Sequence, residues 1–328
     1  MGDVIILTHE EVLRLLPMAD AIAAMEEAFL SVAGGDAHQP LRSVVRPPQA
    51  SGLMGLMPSY AAGSFGVKVV CVFPDNRARG LDSHQGAVLV LSGETGELQA
   101  VVDASAVTAI RTPAVSALAT RFLARPDAQD MAVLGAGRQG RGHARALALV
   151  RSLRRIRVYD LVPERAAAFA RDVQAELGLP VEAVTSAEEA VWGADLVVTT
   201  TNSREPVLRG DWLASGAHVC AVGASTPLER ELDVEAVARA SLFADRRESI
   251  ESESADYLEA VKSGAIGSDH VRADLADLVS GAHPGRVAAD EITLFKSLGL
   301  AVEDLAAARR VYELAASEGL GTLVRAFA

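Results

Sequence analysis

The chain has 328 residues, 50% of them hydrophobic, which suffices for a sizeable core and suggests two domains. Its net charge of −12, with no basic block and no aromatic–basic interleaving, argues against nucleic acid as a partner. Short, interrupted apolar runs and scattered His and Cys residues lead to no expected membrane span and no expected metal site.

The first residues, Met1-Gly-Asp-Val-Ile-Ile-Leu7, carry neither a basic leader nor a cleavage site and read as a strand. Thr8-His-Glu-Glu11 has the spacing of a capping box, so a helix follows. Its periodicity runs through Ala33, interrupted at Pro17 and stopped by Gly34-Gly35. Strands are predicted over Arg42–Val45, Gly66–Phe73, Ala87–Leu91 and Leu98–Val102, with a turn at Gly93–Gly96. They abut without long helices between them, which predicts an antiparallel or mixed sheet. Helical spacing returns from Thr108 to Leu123, and Arg125-Pro126-Asp127 marks a domain entry. Cys71 and Cys220 lie in apolar runs and read as buried small hydrophobes in a reducing cytoplasm.

From 130 to 300 strand and helix alternate, with strands predicted at 131–134, 156–160, 196–200, 217–222 and 241–244. That alternation predicts a Rossmann-type, doubly wound parallel sheet. Ser186-Ala-Glu-Glu189 caps one intervening helix, and a last helix is expected over 302–326. The most informative segment runs from Asp130 to Asp160. An apolar run enters Gly135-Ala-Gly137-Arg-Gln-Gly140, a helical stretch and a second apolar run follow, and Asp160 ends it. Gly135 permits a tight turn, Gly137 lets backbone N–H groups approach a pyrophosphate, and Gly140 permits close helix–strand packing. The helix N-terminus then faces the phosphates. Asp160 is placed for the adenosine ribose hydroxyls and would repel a 2′-phosphate, which favours NAD, with NADP as the alternative.

Three cations interrupt the N-terminal strands and the helix after them: Arg42, Lys68 and Arg111. A lysine centred in an apolar strand faces either a cleft or a solvated surface, and arginines grip carboxylates bidentately. His84 stands just before a strand. Gly223-Ala-Ser225-Thr-Pro227 follows a strand end, where α/β sheets place ligand contacts or an ordinary turn with a Ser cap. Asp304 reads as a favourable charge at the start of the last helix.

Taken together, the chain resembles the ornithine cyclodeaminase/mu-crystallin family over nearly its whole length. The resemblance rests on Met57-Pro-Ser-Tyr60, Gly66-Val-Lys68, Ser83-His-Gln-Gly86, Thr108-Ala-Ile-Arg-Thr-Pro-Ala-Val-Ser116, the glycine loop, Ala221-Val-Gly223, Thr293-Leu-Phe-Lys-Ser-Leu-Gly299 and Ala301-Val-Glu-Asp304. It implies a homodimer built from two domains. A substrate-binding and dimerisation α+β domain would comprise 1–118 and 303–328, and an NAD-binding domain 119–302. It implies Arg42, Lys68 and Arg111 as substrate-carboxylate residues. Lys68, Arg111 and Ser225 would be catalytic. His84, Arg111, Thr112, Gly135, Gly137, Arg138, Gln139, Gly140, Asp160, Thr200, Val222 and Gly223 would be cofactor contacts.

One departure bears on mechanism. Ornithine cyclodeaminases and related alanine dehydrogenases carry Asp where this chain has Ser225, as mu-crystallin-like ketimine reductases do. A serine hydroxyl is no resting base at neutral pH and offers no charge to an ammonium group. The resemblance therefore implies an NAD(P)H-dependent reductase of cyclic α-imino acids. Its alternatives are an ornithine cyclodeaminase or alanine dehydrogenase, with Glu229 or Glu231 reaching the amine, and a non-catalytic crystallin-like binding protein. Ala104 and Pro113 are smaller departures that tune the local backbone.

Overall fold

Two units, the first of them discontinuous, emerge in the computed structural model, which describes residues 3–325 apart from the side chains of 77 and 78. One comprises Met1–Arg111 with Leu300–Ala328, the other Thr112–Gly299. The sequence reading drew these lines at 118/119 and 302/303.

The first unit opens with β1 (Asp3–Leu7), α1 (His9–Leu15) and α2 (Met18–Ala33). Glu11 accepts the Thr8 backbone N–H at 2.8 Å, closing the predicted capping box. Strands β2 (Ser43–Val45), β3 (Leu53–Ala61), β4 (Ser64–Val72), β5 (His84–Ser92) and β6 (Leu98–Asp103) follow. Strand β3 is not evident in the sequence, because Gly55 and Pro58 blur its alternation. The helix α3 (Ala104–Leu123) starts four residues before its predicted onset, where Asp103 accepts the Ala106 N–H at 2.7 Å. It crosses the boundary between the units two residues before Pro113, whose missing N–H leaves one helical bond unmade.

The second unit contains β7 (Asp130–Leu134), α4 (Arg138–Ala148), β8 (Arg155–Tyr159), α5 (Pro163–Leu177), β9 (Val181–Ala183), α6 (Ala187–Val191) and β10 (Leu196–Thr199). It continues with β11 (His218–Ala221), α7 (Val234–Arg239), β12 (Ser241–Ala244), α8 (Arg247–Glu253), α9 (Ala255–Lys262), β13 (Val271–Asp274), α10 (Leu275–Val279) and β14 (Thr293–Lys296). Its eight strands are all parallel, in the order β9-β8-β7-β10-β11-β14-β12-β13. Chain direction across the sheet reverses at β7/β10, the switch point where such folds bind ligands.

The chain then returns to the first unit as α11 (Ala301–Glu318) and β15 (Thr322–Arg325). The expected helix over 302–326 stops early because Gly319 turns left-handed at φ 67°. Residues 322–325 pair antiparallel with β1, and residue 326 lies outside the described residues. The first sheet reads β15-β1-β6-β5-β4-β3-β2 and is mixed: β1 and β6 are parallel, and the other neighbours antiparallel. Among the described residues, no helix is long and apolar enough to cross a membrane.

Candidate active site

On β4, alternate residues Ser64, Gly66, Lys68 and Val70 are buried on one face. A Cβ on Gly66 would lie 2.6 Å from Leu305 Cδ1, so the glycine lets α11 press directly on the strand. Two residues further along that face, Lys68 Nζ meets Asp304 Oδ2 at 2.7 Å. Arg111 on α3 donates through Nε to Asp304 Oδ1 at 3.2 Å and through a terminal nitrogen to Glu303 Oε2 at 2.7 Å. All four side chains are buried. Asp304, read from the sequence as a favourable charge at the helix start, does lie in the first turn of α11 and is in addition a buried carboxylate shared by two buried cations.

Burial lowers the Lys68 ammonium to about 8, helped by the positive charges of Arg111 and Arg42 and opposed by Asp304. Half-buried Arg42 thus acts electrostatically on the same point, from just ahead of β2. His84 is exposed at the start of β5, with its Nδ1 3.1 Å from Ser83 Oγ.

The other sequence-derived candidates gather at the C-terminal edge of the parallel sheet. Gly135 follows β7 with φ 105°, and a Cβ there would sit 2.8 Å from the Thr200 carbonyl. Thr200 Oγ1 returns a hydrogen bond to Gly135 O at 3.0 Å. Gly140 is closed on all sides, since its Cβ would lie 2.2 Å from Gly135 O. A Cβ on Gly137, the N-cap of α4, would meet nothing within 4 Å. Space is thus open in front of a helix N-terminus, with exposed Arg138 in its first turn, and this is the environment a pyrophosphate requires. Asp160 accepts the Ala136 and Val162 N–H groups, both at 2.9 Å, which ties the end of β8 to the glycine loop. Half-buried Gln139 follows Arg138 on α4, and Thr112 is buried on α3.

Beyond β11, Val222 donates to Thr199 O at 3.1 Å, and Gly223 lies so near Thr201 that a Cβ would fall 2.2 Å from its carbonyl. Half-buried Ser225 follows in the same loop. Two buried acids, Glu231 and Asp256, hold this loop. Glu231 accepts the N–H groups of Thr201, Gly223 and Ala224 and the Thr199 hydroxyl, so its oxygens are committed to the loop. Asp256 accepts the Glu231 and Leu232 N–H groups and pairs with buried Lys296 at 2.8 Å. Lys296 also donates to the Ala224 carbonyl at 2.8 Å. Half-buried Glu229 caps the turn, and burial raises its carboxyl above the ordinary range. Glu303 and Asp256 carry no site signal in the sequence, because their partners Arg111 and Lys296 are remote in the chain; Glu231, one of the two acids the sequence offers for an amine, is instead committed to the loop.

The sequence matches the ornithine cyclodeaminase/mu-crystallin family over residues 3–319. It is 39% identical over 301 residues to the ketimine reductase mu-crystallin of Rattus norvegicus, covering 91% of each chain. Thermococcus litoralis Δ1-pyrroline-2-carboxylate reductase in complex with NADH and L-proline superposes with a TM-score of 0.95 at 37% identity, over 98% of this chain and 100% of that one. An archaeal alanine dehydrogenase dimer with bound NAD gives 0.94 at 34%, over 99% and 100%.

Proposed function

The chain belongs to the ornithine cyclodeaminase/mu-crystallin family, and within it we propose an NAD(P)H-dependent reductase of cyclic α-imino acids such as Δ1-pyrroline-2-carboxylate or Δ1-piperideine-2-carboxylate. The observation that carries this choice is Ser225. The loop after β11 offers an uncharged hydroxyl where amine-oxidising members carry a carboxylate, and nearby Glu231 is occupied by four donors.

In this reading Arg42 and Arg111 hold the substrate α-carboxylate, and the Lys68 ammonium donates to the carboxylate or keeps the imine nitrogen protonated. Ser225 hydrogen-bonds the ring nitrogen. When bound, the reduced nicotinamide supplies the hydride that adds to the C=N carbon, giving the cyclic amine. Gly135, Gly137 and Gly140 with Arg138 and Gln139 form the pyrophosphate cradle. Asp160 takes the ribose hydroxyls, preferring NAD over NADP, while His84, Arg111, Thr112, Thr200, Val222 and Gly223 line the remaining cofactor contacts.

A homodimer through the first sheet completes the proposal. The face of that sheet opposite Lys68 carries Leu56, Phe65, Val67, Val69, Leu89 and Leu91, none of them fully buried and Phe65 half exposed. Such a contiguous apolar surface needs a partner.

The test is NADH oxidation with the two cyclic imines, run beside NAD reduction with L-ornithine and L-alanine. Turnover with the imines alone supports the reductase. Turnover with free amino acids would favour the second reading, a dehydrogenase related to the archaeal structure. Half-buried Glu229 would then act as amine base, and Glu229→Gln should abolish that oxidation.

A further inference from the structure

We propose that Asp304 is a positioning residue of the reductase site, bridging Lys68 and Arg111 so that both cations face the substrate at fixed separation and Lys68 stays an ammonium. The inference rests on the reading of Lys68 and Arg111 as substrate-holding groups and extends it to a carboxylate that would not touch substrate.

Geometry carries it. One oxygen of Asp304 pairs with Lys68 at 2.7 Å and the other accepts from Arg111 Nε at 3.2 Å, so one rigid carboxylate sets the distance between two long side chains. Glu303 takes a second nitrogen of Arg111 and fixes its plane. The pair of acids is itself anchored. Ser59 on β3 donates to the Ala301 carbonyl at 3.2 Å, and Gln39 accepts the Val302 N–H at 3.0 Å. Gly66 then lets Leu305 seat against β4. The helix start is thus fastened on either side of the acids.

Electrostatics give the second role. The charged groups acting on Lys68 are Asp304 from α11, Arg111 from α3 and Arg42 from the segment ahead of β2. Asp304 alone among them favours the ammonium, against burial and two like charges. Without it, a buried lysine beside two arginines would lose its proton near neutrality. Its neighbours across β3 and β5, Met57 and Val88, are uncharged.

A property of the sequence makes the test direct: Lys68, Lys262 and Lys296 are its only lysines. Full-length protein labelled with 13C at lysine Cε should show three side-chain resonances, that of Lys68 assigned by its loss in Lys68→Arg. In the native chain it should titrate at about 8. In Asp304→Asn it should titrate lower by about 1 to 3 pH units, the usual effect of removing an adjacent opposite charge. The alkaline limb of kcat/KM for imine reduction should move down with it. Asp304→Glu should restore the titration with a lower kcat, and serves if the Asn variant does not fold. Glu303→Gln, which removes an acid paired with Arg111 and not with Lys68, should leave the Lys68 titration in place.

An unmoved Lys68 resonance in Asp304→Asn, or a uniform loss of rate at all pH values with no shift of the limb, overturns the proposal. If the native chain reduces neither imine, the reductase reading falls, while the NMR titration still decides whether Asp304 holds the Lys68 proton.

Discussion

Asp160 and Asp304 behave differently as clues. Asp160 stands where the fingerprint requires an acid, and its carboxylate also receives two N–H groups from neighbouring loops. Truncating it should therefore act twice, loosening the glycine loop for any dinucleotide and removing the ribose acceptor for NADH alone. Asp160→Ala is expected to weaken NADH about tenfold, ~1.4 kcal/mol, and NADPH clearly less, as measured by fluorescence titration. Equal losses would remove the ribose assignment. Asp304 was legible only as a charge near a helix start. Its partner Arg111 lies 193 residues away, and no local pattern encodes a pairing that α11 makes only by returning to the first unit. Lys68 was the better signal, because an ammonium inside an apolar strand demands a counter-charge wherever the chain finds one.

Elements with a local cause were read from the sequence, and those with a tertiary cause were not. The capping box at Thr8 and the break at Pro17 follow from residues within one turn of each other, and the strand–glycine–helix passage at 130–148 from one contiguous motif. Strands β9, β13 and β14 each carry a charged residue within three or four positions and owe their pairing to a neighbouring strand, so no uninterrupted apolar run marks them, as one marks the equally short β10 and β12. The overrun of the final helix has a related origin: β1 recruits residues 322–325 as an edge strand. The glycine loop separates two roles that the motif merges. Gly137→Ala meets open space and should fold with nearly native Tm while binding NADH more weakly. Gly140→Ala drives a methyl into the Gly135 carbonyl and should lower Tm as well as affinity. Thermal melts beside cofactor titrations would distinguish them, and matching Tm losses in both variants would contradict this division.

For the molecule as a whole, acid is the expected weakness of the second unit. His143 is buried between Gln139 O and Ser116 Oγ, and His218 between Thr293 Oγ1 and Cys220 Sγ. Burial lowers them to about 4 and about 3, so both are neutral in the fold at pH 5. The unfolded chain takes up protons below about 6.5 while the folded one does not. Stability from these histidines is complete above that pH and declines as pH falls toward their folded values. At pH 5 each should have cost about 2 kcal/mol, following the same linkage. Urea unfolding at pH 7 and pH 5 should show the difference, and His218→Asn should shrink it. An unchanged pH difference in that variant would show that His218 is not responsible.

The discontinuity of the first unit sets an order of events during translation. A ribosome releases Lys68 and Arg111 with the strands around them, then must synthesise the whole of 112–299 before Glu303 and Asp304 emerge. Until then the nascent sheet lacks its last strand, and two cations destined for burial lack their counter-ions. The intervening unit has all of its own strands first, so vectorial synthesis completes the parallel sheet before the chain supplies the two acids that Lys68 and Arg111 await.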